Sequence, residues 1–303
     1  MFQTDQATAV SSLPTPAAAG TQGFFTAGNP AAGQAATILD ADWLNMIQQE
    51  LINVVVAAGL TPSKTTYTQV RDAVAQMYGP GRFLGVQTFT SSGTYTPGTY
   101  TVGGRSVTAT KARVRGIGGG GAGGSVTFTT STQAAIAGGG NSGAYGEILI
   151  TSGLTSQAVT IGAGGAPGAQ GNNPGGTGGN TSFGSLLVAA GGIGGYGGAG
   201  NTPPFAVYAN GTAAACSGSG NFIVAGRGAI ASTGSAFSVT NVGGGNGAAS
   251  LWGGGGLGAG GGAGTAAVGY GAGGGGAGQG AGAGAGASGG AGAPGYLIVE
   301  EYA

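Results

Sequence analysis

Side chains able to do acid–base, metal or nucleophilic chemistry are scarce in this 303-residue sequence. Histidine is absent, which removes the commonest general base and the commonest metal ligand. Cys216 is the single cysteine, so neither an intrachain disulfide nor a multi-thiolate zinc site is possible, and we interpret it as a small buried hydrophobic residue. We therefore predict no metal site and no cofactor.

Carboxylates give little more scope for catalysis. Beyond Asp72 the acidic residues are Glu147, Glu300 and Glu301. A glycosidase needs two carboxylates across a cleft, and Glu147 with Glu300 is the formal pair. Both lie in strand-like segments, so we favour a structural role and predict no catalytic residues. Nucleotide binding is also disfavoured, because the glycine patterns lack a strand–turn–helix context and no lysine follows Lys111.

One basic cluster stands out: Arg105, Lys111, Arg113 and Arg115. The last three alternate along the chain, so a strand would place them on one face. They could contact an anion, such as a phosphate of a surface polysaccharide, or pair across a sheet with Glu147, Glu300 or Glu301, which we favour. The net charge is zero, so no electrostatic attraction to nucleic acid is expected.

Residues 40–82 carry the helical signal. Asp40 is the predicted N-cap of a first helix that ends at Gly59, and a second helix is predicted to begin at Thr66, with Gln69 at the capping-box spacing. A pair of this size is too small to be stable alone, so we predict attachment and oligomerisation through its apolar stripes. The residues predicted for that role are Trp43, Ile47, Leu51, Val54, Val70, Val74 and Met77.

The rest of the chain, 83–303, is predicted to be mainly β. Strands are expected at 83–90, 94–102 and 107–115, where Thr, Tyr, Val and Phe are frequent. From Gly116 onward glycine dominates, and Arg227 is the one charged residue between Ile148 and Val299. Strand-length apolar islands interrupt the glycine runs at 144–151, 158–161, 181–190, 205–209, 221–225, 236–242 and 296–302. Because disordered chains combine low hydrophobicity with high charge, we predict ordered glycine-rich loops instead.

Ordering so much glycine is costly, since glycine loses more backbone freedom on folding than any other residue. We expect two sources of compensation: close backbone packing, and burial between identical chains. Runs such as Gly271–Gly292 are candidates for polyglycine-II-like helices, whereas the missing Gly-X-Y repeat excludes collagen.

Aromatic residues in or beside the glycine and proline loops are the candidate contact residues, because Tyr and Trp offer large area for little lost entropy. They are Tyr196, Phe205, Tyr208, Trp252 and Tyr270. For each of these residues taken individually, we favour the alternative that it packs against neighbouring loops. Aromatic residues within the islands are expected in the core. Asn210-Gly211 and Asn246-Gly247 are predicted to form turns.

Three stretches resemble tail-fibre proteins of tailed bacteriophages and related prophages. The first runs from Gly23-Phe24-Phe25-Thr26 through Asp40-Ala41-Asp42-Trp43-Leu44-Asn45 to Gly59-Leu60-Thr61-Pro62; the second is Phe89-Thr90-Ser91-Ser92-Gly93-Thr94-Tyr95-Thr96 with Ala112-Arg113-Val114-Arg115-Gly116; the third is Pro294-Gly295-Tyr296-Leu297-Ile298-Val299-Glu300-Glu301-Tyr302. The resemblance implies a homotrimer, an N-terminal end fixed to tail-hub or baseplate proteins, and a C-terminal tip whose loops bind a bacterial receptor. A pilus, an outer-membrane protein or lipopolysaccharide would serve as that receptor.

Taken together, these features predict three parts. Residues 1–39 are an extended attachment segment, 40–82 a helical hairpin for attachment and trimerisation, and 83–303 a glycine-rich β-sandwich-like head. Met1–Ala9 lack the positive region of a secretory signal, so we expect assembly in the host cytoplasm and a final place in the virion tail. Three alternatives stay open: a structural fibre or baseplate component without receptor contact, a polysaccharide-degrading tailspike, and a cellular glycine-rich matrix protein.

Overall fold

A computed structural model describes residues 1–78, 81–102 and 105–303. The chain forms two compact units, Met1–Arg82 and Phe83–Ala303, here called the helical unit and the β unit. Strands take 28% and helices 10%, so the prediction of a mainly β chain with two helices is confirmed.

The elements are, in chain order, a 3₁₀ turn (Pro30–Ala32), α1 (Ala41–Ala57), α2 (Gln69–Tyr78), β1 (Phe83–Phe89), β2 (Gly93–Tyr95), β3 (Thr99–Val102), β4 (Arg105–Thr108), β5 (Lys111–Ile117), β6 (Ala135–Ile136), β7 (Tyr145–Ile150), β8 (Gln157–Thr160), β9 (Thr181–Phe183), β10 (Leu187–Ala189), β11 (Phe205–Val207), β12 (Cys216–Ser217), β13 (Phe222–Ala225), β14 (Gly234–Ala236), β15 (Val242–Gly243), β16 (Trp252–Gly254), β17 (Val268–Tyr270), β18 (Gly278–Gln279) and β19 (Tyr296–Tyr302).

Helix α1 begins and ends as its sequence predicts. The Asp40 carboxylate accepts a hydrogen bond of 2.8 Å from the Trp43 N–H, which satisfies one free amide of the first turn. Gly59 follows the helix with a φ of 71°, the left-handed conformation that favours glycine. Helix α2 begins at Gln69, so the predicted start at Thr66 was wrong. The Gln69 side chain is buried and bonds the loop before the helix, at the Thr61 carbonyl, instead of capping a turn at Thr66.

The helix pair buries only part of the predicted stripes, since Val54 and Val70 pack against the core whereas Trp43 and Ile47 stay exposed. Its core is formed by Val55, Ala58 and Ala73, with Ile52 also buried. In the described ranges no helix is long and apolar enough to cross a membrane.

Two five-stranded sheets form the base of the β unit. The first has the order β1-β19-β5-β7-β13 and the second β12-β10-β9-β8-β2, with antiparallel neighbours throughout. One hydrophobic cluster joins them, with Phe183 and Leu187 from the second sheet against Val114 and Leu297 from the first. These four side chains are fully buried.

Most of the apolar islands contain a strand, because they hold the β-branched and aromatic residues that pack well on a pleated surface. The island 236–242 is the exception. It lies between β14 and β15, and the Phe237 N–H donates to the Asn241 carbonyl at 2.9 Å, which closes a loop. The expectation of a strand there was wrong.

Glycine-rich extended segments leave the sheets and pack side by side; we call them the glycine array. They are 118–127, 137–144, 162–168, 173–179, 190–198, 244–248, 255–259, 264–267, 271–277 and 287–295. Segment 118–127 shows how they are joined. Between residues 118 and 126 its N–H groups donate in rotation, at 2.8–3.0 Å, to three antiparallel neighbours: 137–144, 173–179 and 287–295.

The rotation has a period of three residues. The Gly118 N–H donates to the Ala144 carbonyl, and three residues later the Gly121 N–H returns to the same neighbour at the Asn141 carbonyl. A period of three matches an extended helix with three residues per turn and no internal hydrogen bonds. Carbonyls of the segment accept from three further segments, 165–171, 190–198 and 271–277, which gives it six neighbours. Buried backbone groups are thereby paired without side chains.

Glycine is required where these segments approach one another. A Cβ built at Gly120 would lie 1.9 Å from the Ala272 carbonyl oxygen, and one built at Gly123 would lie 1.9 Å from the Gly275 carbonyl oxygen. Real Cβ atoms do not approach so closely, so any side chain at these positions would force two backbone segments apart.

Candidate functional site

Loops join the array segments at the end remote from the two sheets. Gly118, just after β5, pairs with Ala144, just before β7, whereas Val126 pairs with Ala287 eight residues farther along. At about 3.1 Å per residue, that separation is about 25 Å. We call the loops at this far end the tip loops: 127–134, 168–173, 198–204, 237–241 and 279–286.

The tip loops bond to one another. The Thr129 N–H donates to the Ala283 carbonyl at 2.9 Å, and the Gly282 N–H donates to the Thr130 carbonyl at 2.9 Å. A third link runs from the Ala281 N–H to the Val239 carbonyl, also at 2.9 Å. Loops that satisfy one another's amides keep a defined shape, which a binding surface needs.

Two phenylalanines stand exposed on the tip loops. Phe128 is 63% exposed and Phe237 is 71% exposed. Sequence reasoning missed both as contact residues, and its expectation that Phe237 belongs to the core was wrong. Ser238 and Asn241 after Phe237 are the signal that could have indicated a loop, since both residue types favour turns.

Of the five aromatic candidates, Tyr196 and Tyr208 are brought together. Their exposures are 51% and 73%, and their backbones lie beside the same residue, Gly138. Phe205 does not share this surface. It is half-buried against the cluster of Ile136 and Ala236.

Trp252 and Tyr270 lie at the sheet end of the β unit instead. The Trp252 ring meets Tyr145 and Tyr296 edge-on, at centroid distances of 5.4 and 5.5 Å, and Tyr270 stacks on Tyr296 at 4.4 Å. Since Tyr145 opens β7 and Tyr296 opens β19, these four rings form an aromatic cluster far from the tip loops. Here the structure favours packing over contact.

The predicted attachment residues divide by exposure. Four are exposed, between 36% and 44%: Trp43, Ile47, Val74 and Met77. The other three, Leu51, Val54 and Val70, are half-buried, and Val54 and Val70 pack against the helix core. Trp43 also meets Phe25 of the extended segment edge-on, at a centroid distance of 4.9 Å. The helical unit therefore retains an apolar face that its own fold leaves open.

Two members of the basic cluster, Arg113 and Arg115, pair with glutamates across the first sheet, as the structural interpretation expected, whereas Lys111 donates to the Ala303 oxygen instead. Arg113 Nε donates to Glu147 Oε1 at 2.6 Å, and Arg115 donates to Glu300 Oε1 at 2.5 Å. The Arg113 hydrogen bond is the main cause that lowers the pKa of Glu147, helped by the Tyr145 hydroxyl and opposed by burial. Both glutamates are thus engaged by arginine, and Glu147 is held ionised.

Glu301 faces the opposite side of the sheet, so it does not pair with arginine. It is fully buried, and its carboxylate accepts from the Tyr95 hydroxyl at 2.6 Å, the Gly98 N–H at 2.7 Å and the Tyr100 hydroxyl. Gln87 Nε2 adds a fourth donor at 3.1 Å. Burial alone would raise the pKa of Glu301, but these donors outweigh it and lower the pKa.

Sequence reasoning missed this buried Glu301 cluster, because its donors Tyr95, Gly98 and Tyr100 are far from Glu301 in the sequence. Burial and the neighbouring Glu301 raise the pKa of Tyr100 to about 12, so the phenol stays protonated and keeps donating. The cluster ties β2 and the loop before β3 to β19. Its arrangement stabilises the fold, and we assign it no chemistry.

Comparison with models of protein families, and with curated proteins, gives no match for this chain.

The remaining chemical candidates fit structural roles. Cys216 is half-buried, and burial raises the pKa of its thiol to about 11, so it stays a protonated thiol at neutral pH. Among the described residues no group of three or more His, Cys, Asp or Glu is placed to hold a metal ion. The surface best suited to function is the set of tip loops with the neighbouring Tyr196 and Tyr208.

Proposed function

We propose that this chain is a tail-fibre protein of a tailed bacteriophage or prophage. Its helical unit attaches it to tail or baseplate proteins, and its tip loops bind a receptor on the host cell surface. The activity is adhesion without catalysis, and its place is the virion tail.

The period-three hydrogen bonding of the glycine array is the observation that carries this proposal. We interpret the segments as polyglycine-II-like helices, packed in a lattice that stands on a sandwich-like pair of sheets. Such a lattice is rigid because each inner segment is bonded to several neighbours. Rigid support lowers the entropy that binding loops lose on contact, which favours affinity. Its length also holds the tip loops about 25 Å from the sheets.

The helical unit supports attachment and self-association. Trp43, Ile47 and Val74 leave apolar surface exposed on a unit whose core consists of a few residues. Two helices with so small a core gain stability when a partner covers such a face. We propose that copies of this chain, as a homotrimer, together with tail proteins cover it.

Arginine pairing weighs against a polysaccharide-degrading tailspike. A glycosidase needs one carboxylic acid whose pKa is raised so that it donates a proton. The pKa of Glu147 is lowered instead, and both Glu147 and Glu300 bond to arginines. This geometry suits ion pairs on a sheet surface.

Adsorption competition tests the proposal. We expect the purified chain to bind susceptible cells and to block adsorption of a phage that carries it. Replacing Phe128 and Phe237 together by serine should weaken binding at least about tenfold, as loss of contact residues at an interface does. Leu251→Ser is the matched control, since Leu251 is 64% exposed next to the aromatic cluster and away from the tip loops.

Point variants are preferable to deletions here, because deleting 180–290 would remove array segments as well as loops. If both variants fold and neither alters binding to a host that the wild type binds, the tip loops are not the contact surface. If the wild-type chain assembles into particles but binds no susceptible host, a purely structural fibre component is the correct interpretation.

A further inference from the structure

The two Asn-Gly pairs of the β unit have contrasting surroundings. Neither forms a type I′ hairpin turn, because that type needs positive φ and neither Gly211 nor Gly247 has it, but the Thr212 N–H bond to Asn210 Oδ1 closes a side-chain turn at Asn210. Asn210-Gly211 lies in a surface loop, whereas Asn246-Gly247 lies within the glycine array. The same dipeptide is thus held in two different environments.

In the surface loop, the Asn210 side chain is directed along its own backbone. The Thr212 N–H donates to Asn210 Oδ1 at 3.1 Å, which folds the side chain over the intervening Gly211 and polarises its amide carbonyl. A Cβ built on Gly211 would meet nothing within 4 Å, so the Gly211 Cα faces open space. Asn141 Nδ2 holds the loop in place, donating to the Asn210 and Thr212 carbonyls at 2.8 and 3.0 Å.

In the array, the Asn246 side chain is directed away from its own backbone. Its Oδ1 accepts from the Gly258 N–H at 2.8 Å. The next amide is also engaged, because the Gly247 N–H donates to the Gly256 carbonyl at 2.8 Å. A Cβ on Gly247 would lie 1.9 Å from the Gly273 carbonyl oxygen, so the Gly247 backbone is closely packed, although the Asn246 side chain itself is exposed.

We propose that Asn210-Gly211 is a self-modification site at which the folded protein deamidates. The Gly211 nitrogen attacks Cγ of Asn210 and a C–N bond forms, while the Gly211 amide proton passes to solvent. The Cγ–Nδ2 bond then breaks, and the side-chain nitrogen takes up a proton from solvent and leaves as ammonia. Water then opens the cyclic imide at one of its two C–N bonds and gives aspartate or isoaspartate. The side chain folded over Gly211 favours the first step at Asn210, whereas the hydrogen bonds of Asn246 Oδ1 and of the Gly247 N–H oppose it at Asn246.

The product changes the electrostatics of this surface. Between Ile148 and Val299 the sequence carries one charge, on Arg227, so a carboxylate at position 210 would be the first negative charge of that stretch. It would arise two residues from Tyr208, which is 73% exposed. The modification itself does not depend on the proposed adhesion.

Peptide mapping by mass spectrometry tests the inference. The full-length folded protein is incubated in mildly alkaline buffer, and deamidation is followed at both asparagines. We expect Asn210 to react at least about tenfold faster than Asn246, which corresponds to about 1.4 kcal/mol in activation free energy. In urea the two rates should converge, because the dipeptides are then equally free.

Two variants test whether Asn210 loses its amide through the proposed ring closure. Gly211→Ala adds a Cβ beside the attacking nitrogen and should slow reaction at Asn210 without altering Asn246. In Asn210→Gln the reaction would have to form a larger ring. This variant should therefore not accumulate the acidic form that appears as the wild-type sample ages. Equal rates at Asn210 and Asn246 in the folded protein, or an unreactive Asn210 in the folded state that reacts in urea, would overturn the inference.

Discussion

The sheet core and the glycine array of the β unit are stabilised by opposite means. In the core, large side chains such as Phe183 and Leu187 exclude water between two sheets. In the array, many contacts between segments involve backbone alone, because glycine removes the side chain there, and the backbone amides of 118–126 bond to neighbour after neighbour. The side chains that do lie between segments are mostly small, such as those of Ala137 and Ala277. A packed interior needs atoms in close contact and polar groups that are hydrogen-bonded. Interlocking side chains meet this need in the sheet core, and closely packed backbone meets it in the array.

The two regions should therefore tolerate different substitutions. The core should respond to lost volume, as hydrophobic cores do. The array should respond to added volume, because a single methyl group meets a backbone carbonyl that other hydrogen bonds hold in place.

The largest effect is expected from Gly120→Ala. Its Cβ would lie 1.9 Å from the Ala272 carbonyl oxygen, so two array segments must separate and lose hydrogen bonds on both sides. We expect destabilisation of at least about 4 kcal/mol, or loss of folded protein, measured by urea denaturation. Gly243→Ala is the matched control, since a Cβ there meets nothing within 4 Å and its φ is not positive. Equal stability of the two variants would show that the array is not closely packed.

The next effect should come from Phe183→Ala in the sheet core. Phe183 is fully buried and packs with Tyr95 at a centroid distance of 5.1 Å. Its truncation should lower the free energy of unfolding by about 3–5 kcal/mol. Phe237→Ala removes the same side chain from a site that is 71% exposed, so it should change stability by less than about 0.5 kcal/mol. A small loss from Phe183→Ala would contradict the shared core.

Sequence reasoning succeeded where side chains carry the pattern. The islands around β7 and β19 were recognisable from their β-branched and aromatic residues, and the Asp40 cap from its type and position. The array could not be assigned in the same way. Its partners, such as Gly120 with Ala293, are far apart in sequence, and a run of glycines has no side-chain periodicity to indicate which segments pair.

Errors arose where apolar residues allowed two interpretations. Helix α1 has apolar residues around most of its circumference, so the stripe through Trp43 and Ile47 was as plausible as the one through Ile52 and Val55 that packs on α2. Among the aromatic candidates, Trp252 and Tyr270 follow glycine-rich sequence just as Tyr196 does, and only the fold separates their locations.

A smaller effect, with a pH signature, is expected from Glu301→Gln. The carboxylate accepts from Tyr95, Gly98 and Tyr100 in a buried site, and an amide replaces one acceptor oxygen by a donor. We expect a loss of about 3 kcal/mol at neutral pH, measured by urea denaturation. The array has no buried carboxylate of this kind. This variant therefore tests whether the loss of stability at acidic pH arises in the sheets.

The sign of that pH dependence follows from the lowered pKa of Glu301. A carboxyl whose pKa is lower in the folded state than its ordinary value of 4.5 stabilises the fold above that value. The contribution is lost as pH falls from there through the folded pKa. Wild-type stability should therefore fall on acidification, and Glu301→Gln should have a shallower slope. Glu147, whose pKa is also lowered, would account for the slope that remains. An unchanged slope would contradict the assignment.

The smallest effect should come from the outer face of the first sheet, through Arg113→Met. Methionine keeps much of the aliphatic stem and removes the charge, while Glu147 retains the Tyr145 hydroxyl and has Arg115 directly across the strand. Because the Arg113 side chain is 40% exposed, water and salt screen its ion pair, and we expect a loss of about 1 kcal/mol that shrinks as salt is added. Lys111→Met on the same strand face, where the ammonium bonds a backbone carbonyl, is the control for charge removal alone. If Arg113→Met instead lost as much stability as Phe183→Ala, independently of salt, the ion pair would contribute to stability as a buried core interaction does and not as a surface interaction.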